Sequence, residues 1–179
     1  AEGRTLALFT SNAAIKATYS VLRAKLRSNN ILVLAQGISG TPDRLVRRMR
    51  EEDRPVVLLG TSSLWEGIDI QGDRLQALIL TKLPFEVPTD PVFAARSETY
   101  GDSYKAFTEY SIPKAVIRFR QGFGRLIRSS TDRGVFVVLD SRIVNRNYGK
   151  RFIEGLPDTS MKTCSMKEIG ENTKTWLLN

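Results

Sequence analysis

Histidine is absent from the chain. That removes imidazole acid–base chemistry, Ser-His-Asp triads and histidine metal sites in one step. Cys164 is the only cysteine, so neither an internal disulfide nor a four-cysteine cage for zinc or iron–sulfur fits within these residues. A lone thiol suits an intracellular, reducing setting. No apolar run approaches the roughly 20 residues that a membrane-spanning helix needs. Ala1-Glu2-Gly3-Arg4 has no signal-like apolar segment behind it and reads more like a cut into a longer chain than a natural start. Acid is scarce beside base: 19 Asp+Glu against 27 Lys+Arg give +8 and a pI near 9.9.

What is present is a globular composition, 41% hydrophobic and 26% charged over 179 residues, enough for one core of ordinary size. The basic excess favours a polyanionic partner, and ten of the cations cluster between Lys114 and Arg151.

Leu6-Ala7-Leu8-Phe9-Thr10 is a short apolar run ended by the polar Ser11-Asn12, which predicts a buried strand and a helix N-cap. Ile15, Tyr19, Leu22 and Leu26 then recur at helical spacing. Ile31-Leu32-Val33-Leu34 predicts a second strand, Thr41-Pro42-Asp43 a helix start, and Val56-Val57-Leu58-Leu59 a third strand ending at Gly60. Leu75 to Leu83 predicts a fourth, in the run Ala77-Leu78-Ile79-Leu80. Pro84, Pro88 and Pro91 punctuate a loop before short helical patterns, and Pro113 opens a glycine-containing helix. Val135-Phe136-Val137-Val138-Leu139 predicts another buried strand, followed by a basic helix from Arg142 to Ile153. Continuous apolar strands alternating with amphipathic helices indicate one doubly wound α/β domain, its parallel sheet covered on both faces. Ligands of such sheets collect at the carboxyl ends of the strands.

Two stretches carry chemistry. Gln121-Gly122-Phe123-Gly124-Arg125-Leu126-Ile127-Arg128 stacks an amide and two guanidiniums on one helix face. Each glycine costs roughly 1 kcal/mol against alanine there. Guanidiniums suit phosphate oxygens, so the face reads as one held open for a polyanion, with a merely solvated basic face as the alternative. Gly60-Thr61-Ser62-Ser63-Leu64-Trp65-Glu66-Gly67-Ile68-Asp69-Ile70 follows a strand and is dense with hydroxyls and backbone donors for phosphate. Its alternative is a loop packed by Trp65 and Ile68.

Thr61 with Gly67-Ile68-Asp69 resembles motif V of superfamily 2 helicases, Gln121-xx-Gly124-Arg125-xx-Arg128 resembles their motif VI, and Leu8-Phe9-Thr10-Ser11 resembles motif IV. Trp65-Glu66-Gly67, Leu83-Pro84-Phe85 and Pro88-Thr89-Asp90-Pro91 narrow the resemblance to the DinG/XPD-type branch, on its bacterial DinG side. It covers about residues 4 to 155 in the right order. It implies a RecA-like three-layer domain, the C-terminal motor of an ATP-dependent DNA helicase, over residues 1–155, with a tail over 156–179. Motif VI would set Arg125 and Arg128 against ATP held by the N-terminal motor domain, with Gln121, Gly67, Asp69 and Glu66 lining or sensing the nucleotide. Thr10, Ser11, Thr61 and Ser62 would grip single-stranded DNA. The resemblance further implies 5′ to 3′ movement, DNA repair or replication-conflict work, and a cytoplasmic, nucleoid-associated bacterial protein. Ser141 and Arg142 border the same cleft or simply cap a helix.

No Gly-xxxx-Gly-Lys-Ser/Thr phosphate loop is present, and Gly149-Lys150-Arg151 lacks both the upstream glycine and the hydroxyl. ATP and Mg²⁺ are therefore expected on the N-terminal half, as is any [4Fe-4S] cluster, and these residues alone are expected to hydrolyse no ATP. No metal site is expected here. A standalone basic nucleic-acid-binding module is the alternative function. A metal-dependent nuclease using Glu66, Asp69, Asp73 and Asp90 ranks last.

Overall fold

A computed structural model of the chain describes residues 1–61, 64, 70, 74–87, 89–127 and 132–178. The described residues divide into two units. The first, Ala1–Lys82 with Gly122–Leu139 and Ser160–Asn179, holds the sheet. Its strands are β1 (Thr5–Phe9), β2 (Leu32–Ala35), β3 (Val56–Thr61), β4 (Ala77–Leu80) and β5 (Val135–Val138), in the order β2-β3-β1-β4-β5. Every pairing is parallel: Leu8 lies opposite Gly60 on one side and Leu80 on the other, and Ile79 lies opposite Val137.

The apolar runs follow from this arrangement. A parallel strand in the middle of a sheet meets helices on both faces, so β3 is buried from Val56 to Gly60 without alternation. Helix α1 (Asn12–Leu26) drives Ile15 into a cluster with Ala7, Val33, Ala35, Val57 and Leu59. Helix α2 (Pro42–Glu51) starts with Pro42 at its first turn and buries Leu45, Val46 and Met49. The chain steps two places from β1 to β2 and then one place back to β3. Right-handed crossovers therefore put α1 and α2 on opposite faces.

The second unit comprises Leu83–Gln121 and Asp140–Thr159. Asp90 caps α3 (Pro91–Glu98), and Asp102 caps the single turn α4 (Ser103–Lys105). A π-helical turn over Ala106–Ser111 then joins α4 to α5 (Ile112–Leu126) without a break. Pro113 therefore does not open this helix, as the sequence suggested, but lies inside a longer one. Proline has no N–H to donate and its ring crowds the carbonyl four residues back. The widened turn just before it, where Ile112 N–H reaches Phe107 O, accommodates that crowding.

The basic helix expected from Arg142 to Ile153 is two, α6 (Arg142–Asn145) and α7 (Gly149–Glu154). The chain doubles back so tightly between them that a Cβ at Gly149 would overlap the Ile143 carbonyl oxygen. Phe119 and Phe152 are fully buried and meet edge to face at 5.3 Å, with Phe85 5.8 Å from Phe152. In the first unit, α8 (Ile169–Leu178) lies against the half-buried edge strand β5, and the Arg133 guanidinium sits 5.9 Å from the Trp176 ring centroid.

Candidate functional site

Within the first unit the carboxyl ends of β1 and β3 lie side by side, because Phe9 is in register with Thr61. Thr10 is exposed just beyond β1. Ser11 is the N-cap of α1, and its Oγ accepts the Ala14 N–H at 3.2 Å. Thr61, half-buried, ends β3. Its backbone N–H and its hydroxyl both donate to Gln36 Oε1, at 2.9 and 3.2 Å. Gln36 stands immediately after β2, where its own N–H is held by the Leu59 carbonyl at 2.9 Å.

Gln36 was not among the residues that the sequence singled out. Its place, one residue past the last apolar position of a strand, was the available signal. Gly60 has a packing reason to be glycine: a Cβ there would meet the buried Leu64 side chain and lie 3.2 Å from Gln36 Oε1. Beside these groups the Thr81 hydroxyl donates to the Leu8 carbonyl at 2.9 Å, tying the end of β4 to β1.

Helix α5 carries the second stretch. It runs from the second unit into the first, the division falling between Gln121 and Gly122. Gln121 is exposed and Arg125, four residues on, is half-buried. The two glycines between them differ. Gly122 is buried, whereas Gly124 is exposed, and a Cβ built on it would meet nothing within 4 Å. Neither packing nor a positive φ demands glycine at 124. Phe123 packs edge-on against Phe136 at 5.8 Å, and Leu126 fills the space that a side chain at Gly134 would need, so this last turn is fixed to β5. Ser62, Glu66, Gly67, Asp69 and Arg128 lie outside the described residues, as does Asp73.

In the second unit, Asp140 is a buried carboxylate. Its Oδ2 accepts the Leu83 N–H at 2.8 Å and Arg142 Nη2 at 2.6 Å, while Oδ1 accepts the Arg142 backbone N–H and Nε. Burial pushes this carboxyl up, but the bonds from Arg142 and Leu83 outweigh burial and hold it below the usual carboxylate range. Arg142 also lies 5.5 Å from the Phe85 ring centroid, so its contacts are those of a brace on the segment Leu83-Pro84-Phe85. Ser141 begins α6 without a side-chain cap bond.

Glu86 continues that segment and meets two cations of α5, Lys114 Nζ at 2.9 Å and Arg118 Nη2 at 2.7 Å. Hydrogen bonding to Glu86, and then to the Tyr110 hydroxyl, raises the Lys114 pKa above its ordinary value. Asp90 accepts the Phe93 N–H at 2.9 Å as the cap of α3. Among the described residues no three His, Cys, Asp or Glu side chains gather as a metal site, and no helix is long and apolar enough to cross a membrane.

A five-stranded all-parallel sheet with hydroxyls along its carboxyl edge, and an arginine-bearing helix fixed to its edge strand, define a doubly wound α/β domain. A family model described as the helicase C-terminal domain matches residues 1–159, and the chain belongs to that family. It is 38% identical over 168 residues to the Bacillus subtilis protein named 3′-5′ exonuclease DinG, covering 93% of this chain and 18% of that one. It is 40% identical over 159 residues to the ATP-dependent DNA helicase YoaA of Escherichia coli, covering 87% and 24%. It is 37% identical over 158 residues to an ATP-dependent helicase DinG of Mycobacterium tuberculosis, covering 88% and 23%. The chain thus spans only about a fifth to a quarter of the length of these relatives.

Proposed function

We propose that this chain is the C-terminal motor half of an ATP-dependent DNA helicase of the DinG and YoaA kind. It completes a nucleotide site whose phosphate-binding half lies on another domain of the same protein. The observation that carries the reading is on α5, where the exposed Gln121 and the half-buried Arg125 flank the exposed Gly124, and no side chain of the described residues comes within 4 Å of where its Cβ would be. A helix that only faced water would gain roughly 1 kcal/mol from alanine at 124. Glycine retained there suits close approach by a partner surface carrying charge for Arg125 to meet.

Guanidiniums facing a transferring γ-phosphoryl stabilise its transition-state charge, which is the role given to Arg125 and Arg128. Gln121 orients or senses the nucleotide, and Glu66, Gly67 and Asp69 couple its state to the DNA. ATP and Mg²⁺ are held mainly by the other half. Thr10, Ser11, Thr61 and Ser62 supply hydroxyl and N–H donors to the phosphates of a single strand. Movement is 5′ to 3′, and the work is DNA repair or the clearing of replication conflicts in a bacterial cytoplasm.

The purified chain alone is expected to bind single-stranded DNA and to hydrolyse no ATP. Robust DNA-stimulated turnover by residues 1–179, surviving a second purification, would contradict the division of labour.

A further inference from the structure

Residues 3–42 contain no Asp or Glu, although acids make up 19 of the 179 residues. Helix α1 lies wholly within this window. At 100° per residue Lys16, Ser20, Arg23 and Arg27 fall within a narrow angular sector, with Asn12 at its start. All five are exposed. Ile15, Tyr19, Leu22 and Leu26 occupy the sector turned to the sheet, so the cationic stripe runs along the helix flank. Its eleven-residue reach is about 16 Å, and it begins one turn beyond Thr10 and Ser11.

Helix α2 shows what an ordinary solvated basic face looks like in the same unit. Its four arginines are bracketed by Asp43 and Glu51, and Glu52, just past its end, pairs with Arg48 at 3.9 Å and with Arg54 at 2.9 Å. On α1, by contrast, no carboxylate of the described residues comes within ion-pair distance of Lys16, Arg23 or Arg27. Arg23 instead lies 5.9 Å from the Tyr19 ring centroid. Complementing the helix dipole accounts for cations in the last turn, but it gains nothing from Lys16 near the start. Arg23 and Arg27, four apart with no acid between, repel each other within the free chain.

We propose that the Lys16–Ser20–Arg23–Arg27 flank of α1 is a binding surface for the phosphate backbone of DNA, extending the track that starts at Thr10 and Ser11. The choice of DNA over other polyanions rests on the function proposed above; the existence of the surface rests on the uncompensated charge.

The test is equilibrium binding of the chain to a fluorescent DNA single strand across a salt series. The triple variant Lys16→Gln, Arg23→Gln, Arg27→Gln is compared with Arg44→Gln, Arg47→Gln, Arg50→Gln on α2, which removes the same charge from the same unit. Glutamine keeps helix propensity at every site, and circular dichroism verifies the fold. The α1 triple is expected to lower the salt slope by about two and to weaken binding at 50 mM salt by about tenfold or more, since each single-strand phosphate contact contributes roughly 0.7 to the slope. The α2 triple should leave the slope within about half a unit of the starting value. Equal effects of the two triples would overturn the proposal, as would an unmodified chain that fails to bind DNA at 50 mM salt. Polyglutamate of matched charge competing as well as DNA would overturn the choice of ligand. Because ATP turnover is not read, failure here is separable from failure of the motor assignment.

Discussion

Gln36 Oε1 accepts both donors of Thr61, its backbone N–H at 2.9 Å and its hydroxyl at 3.2 Å. The two residues are 25 apart in sequence and meet because β2 and β3 are parallel neighbours, with Ala35 opposite Leu59. The bonds preorganise Thr61, and they also occupy the donors that a DNA phosphate would use. DNA binding through Thr61 must then exchange an amide oxygen for a phosphate oxygen. That trade between hydrogen bonds favours the charged acceptor by roughly 1 kcal/mol.

Gln36→Glu places a carboxylate where the phosphate should arrive. Affinity of the chain for single-stranded DNA is expected to fall by about tenfold, more than for Gln36→Ala, because like charges meet at close range. Thr61→Ala should weaken binding as well and shrink the salt slope. Titration of the three variants by fluorescence anisotropy checks the order; unchanged affinity in Thr61→Ala would remove Thr61 from the DNA track.

Gly124→Ala separates fold from function. The site has room for a methyl group, so the isolated chain should gain up to about 1 kcal/mol of unfolding free energy. In the complete protein the same methyl group intrudes on the surface facing the nucleotide, and turnover should fall by about tenfold to a hundredfold. Chemical denaturation and ATPase assays read the two effects independently. Full activity together with the stability gain would mean that nothing approaches Gly124.

Asp140 makes the second unit acid-sensitive. Its carboxyl is held below its ordinary pKa when folded, so its stabilisation is complete above the unfolded carboxylate value of about 4 and is lost as pH falls through the lower folded value. Asp140→Ala should cost about 2–3 kcal/mol at neutral pH, because Leu83 N–H and Arg142 both lose a charged acceptor. The cost should shrink at the acid end of that window, as urea melts at pH 7 and pH 3 will show. A penalty independent of pH would mean that packing, not charge, does the bracing.

The central strands were legible because burial on two faces leaves no polar position to blur the pattern, as Val56-Val57-Leu58-Leu59 illustrates, whereas Val135–Val138, expected to be buried, is a half-buried edge strand. The cap Ser11 and the helix-starting Pro42 announced themselves by residue type, which short-range geometry dictates. Gln36 and Asp140 did not, because their partners Thr61 and Leu83 are 25 and 57 residues away and only the folded sheet brings them close. The Pro113 helix was misjudged for a related reason. Proline normally marks a first turn, and the π-helical turn that lets it sit deeper has no sequence pattern of its own.

The most direct test of the central claim uses the complete protein carrying Arg125→Ala, with DNA-stimulated ATP hydrolysis and single-strand affinity measured on the same preparation. An arginine that stabilises phosphoryl transfer predicts a loss of about a thousandfold or more in turnover, with affinity for DNA changed by no more than about threefold. Normal turnover would contradict the account. So would a loss of turnover that merely follows a matching loss of DNA affinity, since Arg125 would then belong to the DNA track and not to a nucleotide site shared with another domain.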